Sequence, residues 1–159
     1  MKYTLLVIGK IKEAWMRAGI DEYIKRLKPM VTVKIIEENE EKISPADGAS
    51  LKERRMNQEG EKLLRHVRPD DCVILLDTKG KELASEELAE WIQNKMVGGI
   101  GDFYFVIGGP YGNGKVLQER ANLKLSMGPM TLTHQMARLV LVEQLYRAMK
   151  INRHEPYHL

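Results

Sequence analysis

A chain of 159 residues with 43% apolar and 30% charged side chains has ordinary globular composition, and it suits one domain spanning 1–159. No stretch approaches about 18 apolar residues, the opening residues lack a basic leader pattern, and Cys72 is the only cysteine, so a membrane span and a disulfide framework are excluded and a cytoplasmic protein is expected. The net charge of +3 is unevenly placed: residues 115–159 carry seven Lys or Arg against three Glu, whereas residues 1–114 sum to −1, a bias that fits an anionic partner such as RNA and fits chance clustering equally well.

In chain order, Tyr3–Gly9 reads as a buried strand. Glu13–Lys28 reads as a helix with Trp15, Ala18, Ile20, Tyr23, Ile24 and Leu27 near one face and Pro29 past its end. Val31–Ile36 is a second strand, and the acidic run Glu37–Lys42 is expected to be a solvated loop. Ser44 or Asp47 is expected to start a charged helix reaching about His66, and residues 68–71 a turn. Cys72–Asp77 is a continuous apolar run, as in a parallel strand covered on both faces, and residues 78–81 are expected to turn the chain. Ser85 is expected to cap a helix through Val97, closed by glycines at 98, 99 and 101. Strand Phe103–Ile107, a short helix Val116–Ala121, a short apolar run Leu123–Met127 and a long helix His134–Asn152 complete the pattern. Alternating strands and helices predict an α/β fold with a mostly parallel sheet and helices on both faces. Ligands in such sheets sit beyond the C-terminal strand ends, here Leu76-Asp77, Gly108-Gly109 and Met127-Gly128. The last helix is apolar around more than half its girth, which points to a subunit interface.

Three segments carry candidate chemistry. Gly109–Lys115 matches the phosphate-loop spacing G-x-x-x-x-G-K, but Val116 stands where Ser or Thr must reach magnesium and Pro110 removes a backbone N–H, so a nucleotide triphosphatase is disfavoured. Residues 125–134 mix Met and Leu with backbone groups that no helix or strand pairs; that composition suits an adenine pocket, with a helix lead-in capped by Thr133 as the plain alternative. The closing Arg153–Leu159 is too short to fold alone, yet His158 can move a proton and Tyr157 can stack on a base. His134 at the start of a helix reads as a structural hydrogen-bonder more than as a catalyst, and Arg147 as a surface charge or a phosphate clamp. The basic residues between Lys52 and Arg65 interleave with glutamates, as on a solvated face. No His or Cys cluster has metal spacing, and no metal is expected.

Taken in order, Phe105–Gly112, Leu125-Ser126 with Met130–His134, Leu145–Ala148 and Pro156–His158 resemble the RlmH family, small SPOUT-superfamily methyltransferases acting on pseudouridine in 23S ribosomal RNA. The similarity spans the whole chain. It implies an α/β fold with a C-terminal trefoil knot, an exception to the rule against knots. It further implies S-adenosylmethionine as methyl donor, a homodimer with its active site at the subunit interface, and methylation of a pseudouridine N3 on the assembled ribosome. Matching positions assign the cofactor to Leu76, Gly108, Met127, Gly128, Pro129, Met130, Thr131 and Leu132, and function to His134, Arg147, Tyr157 and His158. The N3 proton of a uracil ring must leave before a methyl can arrive, so a base is required. His158, or a water it holds, is expected to take that proton, Arg147 to hold phosphate or developing charge, and Tyr157 to stack on the base. The alternative from another class is a non-catalytic RNA- or ribosome-binding protein of α/β fold.

Overall fold

The computed structural model describes residues 1–159. Five strands, β1 (Lys2–Ile8), β2 (Thr32–Glu38), β3 (Cys72–Glu82), β4 (Asp102–Ile107) and β5 (Leu123–Ser126), form one sheet in the order β2-β1-β4-β3-β5. Every pairing is parallel. The helices α1 (Ala14–Leu27), α2 (Ala49–Leu64), α3 (Ser85–Val97), α4 (Lys115–Arg120) and α5 (His134–Asn152) connect and cover it.

The apolar strands explain the layering. In β1, Tyr3, Leu5 and Val7 join the core under α1, α3 and α5, whereas Leu6 and Ile8 face the opposite side with Leu63 of α2 and Leu117 of α4. Strand β4 repeats the division, with Phe103, Phe105 and Ile107 against Tyr104 and Val106. Alternate residues of one strand thus feed two cores, and a continuous apolar run is the necessary signature. Tyr3 meets Phe103 and Phe105 edge-on, with ring centroids 5.9 and 5.3 Å apart.

Four local expectations change. Strand β2 takes in Glu37 and Glu38 from the acidic run, because Arg138 pairs with Glu37 at 2.8 Å and His66 with Glu38 at 2.8 Å. Ser44 and Asp47 form a turn, in which the Ser44 N–H donates to Asp47 at 2.8 Å, and α2 begins after Gly48. Ser85 is inside α3 and donates to Gln144 of α5; the Glu87 carboxylate instead accepts from the Ala84 N–H at 2.6 Å. Residues 78–81 do not end β3. They lie in a bulge between Leu76 and Lys81, both of which register with Leu125 of β5. Gly80 is required there, since an added Cβ would come within 2.7 Å of the Lys124 carbonyl.

Helix α5 lies on the sheet between α1 and α3. Gly19 of α1 allows the approach, its position for a Cβ being 3.2 Å from Leu139. Thr133 caps α5 by accepting from the Met136 N–H at 3.1 Å. No helix is long and apolar enough to cross a membrane.

Candidate active site

The C-terminal ends of β3, β4 and β5 open into a cavity of about 1080 Å³, just above the roughly 300–1,000 Å³ of small-molecule sites. Seven of the eight expected cofactor positions line it: Leu76, Gly108, Met127, Gly128, Met130, Thr131 and Leu132. Pro129 does not, although it lies in the same loop. His134 lines the wall as well.

Each loop has a local cause. Gly108 is buried, and an added Cβ would collide with the Asn113 side chain. The Asn113 Nδ2 donates to the Leu76 carbonyl at 2.8 Å, so this first glycine loop is tied to the end of β3. Gly109 stands over Glu59, whose Oε1 would be 2.9 Å from a Cβ there. Glu59 is 3% exposed, accepts from the Glu41 N–H at 3.0 Å, and has its carboxyl pushed up by burial. In the second loop, Gly128 adopts φ +113°, a left-handed conformation that side chains resist. The Ser126 hydroxyl holds that turn, accepting from the Gly128 N–H at 3.2 Å. Asp77, Thr78 and Lys79 enter the wall through the β3 bulge. Sequence reasoning missed Asn113, Glu59 and this bulge. The glycines beside Asn113 and Glu59 were visible, but the side chains that fill the space next to them were not.

The phosphate-loop reading finds no support in the geometry. Lys115 is 73% exposed, 3.8 Å from Glu119, and outside the cavity wall. The Val116 N–H donates to Asn57 at 3.1 Å, so it is not free for a phosphate. No group of three or more His, Cys, Asp or Glu side chains is arranged to hold a metal ion.

His134 sits over Gly9, whose φ of +88° leaves room for the ring. Burial lowers the His134 pKa, Glu40 at 3.8 Å partly opposing, and its Nε2 is buried without a hydrogen-bond partner. One turn on, Arg138 is 2% exposed and donates to Glu37 and to the Gly9 carbonyl at 3.1 Å, locking α5 to the ends of β1 and β2.

Arg147, Tyr157 and His158 form a second cluster at the other end of α5. The tail folds back rather than extending. Tyr157 meets Tyr146 edge-on at 4.7 Å and donates to Glu143 at 3.0 Å; burial, then bonding with Tyr23 and Glu143, pushes its hydroxyl pKa up. Arg147 donates to Glu143, lies 4.8 Å over the Tyr157 ring, and approaches His158 Nδ1 at 3.2 Å. His158 Nε2 lies 2.6 Å from Glu86 of α3. None of these three side chains lines the cavity. His134 and Arg147 stand thirteen positions apart on the helix, about 20 Å at 1.5 Å per residue. The structure therefore brings His134 together with the cofactor positions and holds the other three apart.

The cavity mouth carries exposed apolar side chains: Trp15 is 62% exposed, Met130 82%, Tyr111 39% and Leu132 38%. Exposed apolar side chains grouped around a cavity mouth suit a surface that a ligand or partner covers.

Three relatives carry the name ribosomal RNA large subunit methyltransferase H. That of Halothermothrix orenii is 47% identical over 159 residues, that of Carboxydothermus hydrogenoformans 45% over 162, and that of Lactococcus lactis subsp. lactis 46% over 160, each alignment covering 99% of both chains. A Legionella pneumophila methyltransferase solved with bound SAM overlays 93% of this chain and 66% of its own at a TM-score of 0.49 and 16% identity. The profile of the family described as "Predicted SPOUT methyltransferase" matches residues 1–158, and the chain belongs to that family.

Proposed function

We propose that this protein transfers a methyl group from S-adenosylmethionine to the N3 of a pseudouridine in 23S ribosomal RNA, in the cytoplasm and on the assembled ribosome. The observation that carries the reading is the cavity at the ends of β3, β4 and β5, lined by seven of the eight cofactor positions. The names of the full-length relatives support ribosomal RNA as substrate.

The residues present fit the cofactor. Gly108 and Gly128 carry no side chain, so a flat ring such as adenine can approach the backbone of both loops closely. Met127, Met130 and Leu132 supply apolar cover, with Pro129 beside them in the same loop, and Asp77 on the wall suits a cationic ligand. When bound, the cofactor supplies an already activated methyl electrophile. The chain then has to align the acceptor nitrogen and remove its proton. His158 takes that proton, Tyr157 supports the base by stacking, and Arg147 steadies the negative charge that develops on the ring. His134 acts from the cavity wall, where burial lowers its pKa and favours the neutral imidazole.

Two half-sites about 20 Å apart on one helix do not meet within one chain. We therefore read the protein as a homodimer in which α5 packs antiparallel on its partner, so that each tail serves the other chain's cavity. A two-fold interface has this reciprocity by construction. The apolar rim at Trp15, Met130 and Leu132 supports a covered mouth. The convergence of both glycine loops and the start of α5 on one cavity is compatible with threading of the last third as a trefoil knot.

Calorimetric titration with S-adenosylmethionine tests the reading. Micromolar binding at about one per chain, lost in Gly128→Arg, is expected, followed by methylation of purified ribosomes. No binding, with or without ribosomes, would overturn it and favour the non-catalytic RNA-binding alternative.

A further inference from the structure

His158 is gripped at both ring nitrogens. Its Nε2 lies 2.6 Å from Glu86 Oε1, and its Nδ1 lies 3.2 Å from Arg147 Nη1. A guanidinium can only donate and an ionised carboxylate can only accept. These two neighbours leave one arrangement of ring protons. Nδ1 carries the lone pair and accepts from Arg147; Nε2 carries the hydrogen and donates to Glu86. A proton on Nδ1 would set N–H against N–H, so a charged His158 ring and the Arg147 contact exclude each other.

Each neighbour has partners of its own. Glu86 is in the first turn of α3, where unpaired backbone N–H groups favour a carboxylate. Bonding to its own backbone N–H, then to His158, holds the Glu86 carboxyl below its usual range. Arg147 is tethered by Glu143 and stacked on Tyr157. The charged groups touching the ring are thus Glu86 from α3 and Arg147 from α5; Glu143 and Tyr157 hold Arg147 from behind, with Tyr23 of α1 next to Tyr157.

We propose that Glu86 is the positioning residue for His158: it fixes the Nε2–H tautomer, so that Nδ1 is the atom that accepts the substrate proton once Arg147 moves off it. This rests on the reading of His158 as the base. The step balances simply. The proton passes from the ring N3 to Nδ1, the N3 electron pair is left free to bond, and the resulting imidazolium has its second N–H already paired with Glu86. The proton returns to water after turnover. Arg147, released from Nδ1, is free to turn its donors toward the anionic ring. A dyad of this kind follows the orienting logic of a carboxylate behind a catalytic histidine.

The test uses full-length protein with ¹⁵N-labelled histidine. Long-range ¹H–¹⁵N correlation at neutral pH, with His158 assigned from the spectrum of His158→Ala, is expected to show the Nε2–H tautomer. Glu86→Gln keeps an acceptor but removes the charge. Its kcat on ribosomes is expected to fall at least about ten-fold, with KM and S-adenosylmethionine affinity within about two-fold of wild type and the Nε2–H signal retained. Glu86→Asp is expected to recover part of the rate. An Nδ1–H tautomer in the wild type, or a wild-type kcat in Glu86→Gln, would overturn the assignment. A wild-type rate in His158→Ala would instead remove the base role itself, and the tautomer measured on the ligand-free protein would still decide the pairing.

Discussion

Asn113 has the largest local consequence for its size. Its amide closes the first glycine loop on the Leu76 carbonyl at 2.8 Å and fills the space that the missing Cβ of Gly108 leaves. Asn113→Ala removes the tie and leaves a half-buried acceptor unpaired, which costs about 1–3 kcal/mol. The expected result is a lower urea midpoint and several-fold weaker S-adenosylmethionine binding, with the fold intact by circular dichroism. Unchanged affinity would mean that the loop holds its shape without Asn113. The residues of the cavity were legible in the sequence wherever glycine or an unpaired apolar run marked them, as at Gly108, Gly128 and Met127–Leu132. Asn113 and Glu59 were not legible. Their roles come from contacts 37 and 18 positions away, with Leu76 and Glu41, and no local pattern encodes such distances.

At the level of elements, β1, β3 and β4 were readable because burial on both faces demands uninterrupted apolar runs, whereas the edge strands β2 and β5 are interrupted by Lys34 and Lys124. The ends were less readable. Glu37 and Glu38 are acidic because Arg138 and His66 answer them across the fold. The β3 bulge resembled a turn because Thr78-Lys79-Gly80-Lys81 is turn composition; only the return of Lys81 to the register with Leu125 makes it strand. That bulge carries Asp77 and Lys79 into the cavity, so its shape matters to the site. Gly80→Ala places a methyl within 2.7 Å of β5 backbone, which cannot yield as a side chain would. A loss of about 1–3 kcal/mol is expected by urea unfolding, together with weaker cofactor binding. A neutral substitution would show that the bulge and β5 can separate at no cost.

For the whole molecule, the division of the site between the two ends of α5 is the property to test. Gly128→Arg disables the cavity, and His158→Ala disables the tail. If the site is shared between subunits, each variant is inactive alone, but mixing and refolding them together is expected to restore about a quarter of the wild-type sites, since half of random dimers are mixed and each mixed dimer has one intact pair. No recovery on mixing would mean that each chain completes its own site. The sheet order has a further effect, on how the molecule comes into being. The units β1-α1-β2 and β3-α3-β4 are each contiguous and can form as the chain emerges, but β1 pairs with β4 about a hundred residues later, and the cavity wall runs from Glu13 to Ala137. A nascent chain therefore has part of its sheet long before it has a pocket, and binding competence arrives only once the start of α5 has been made.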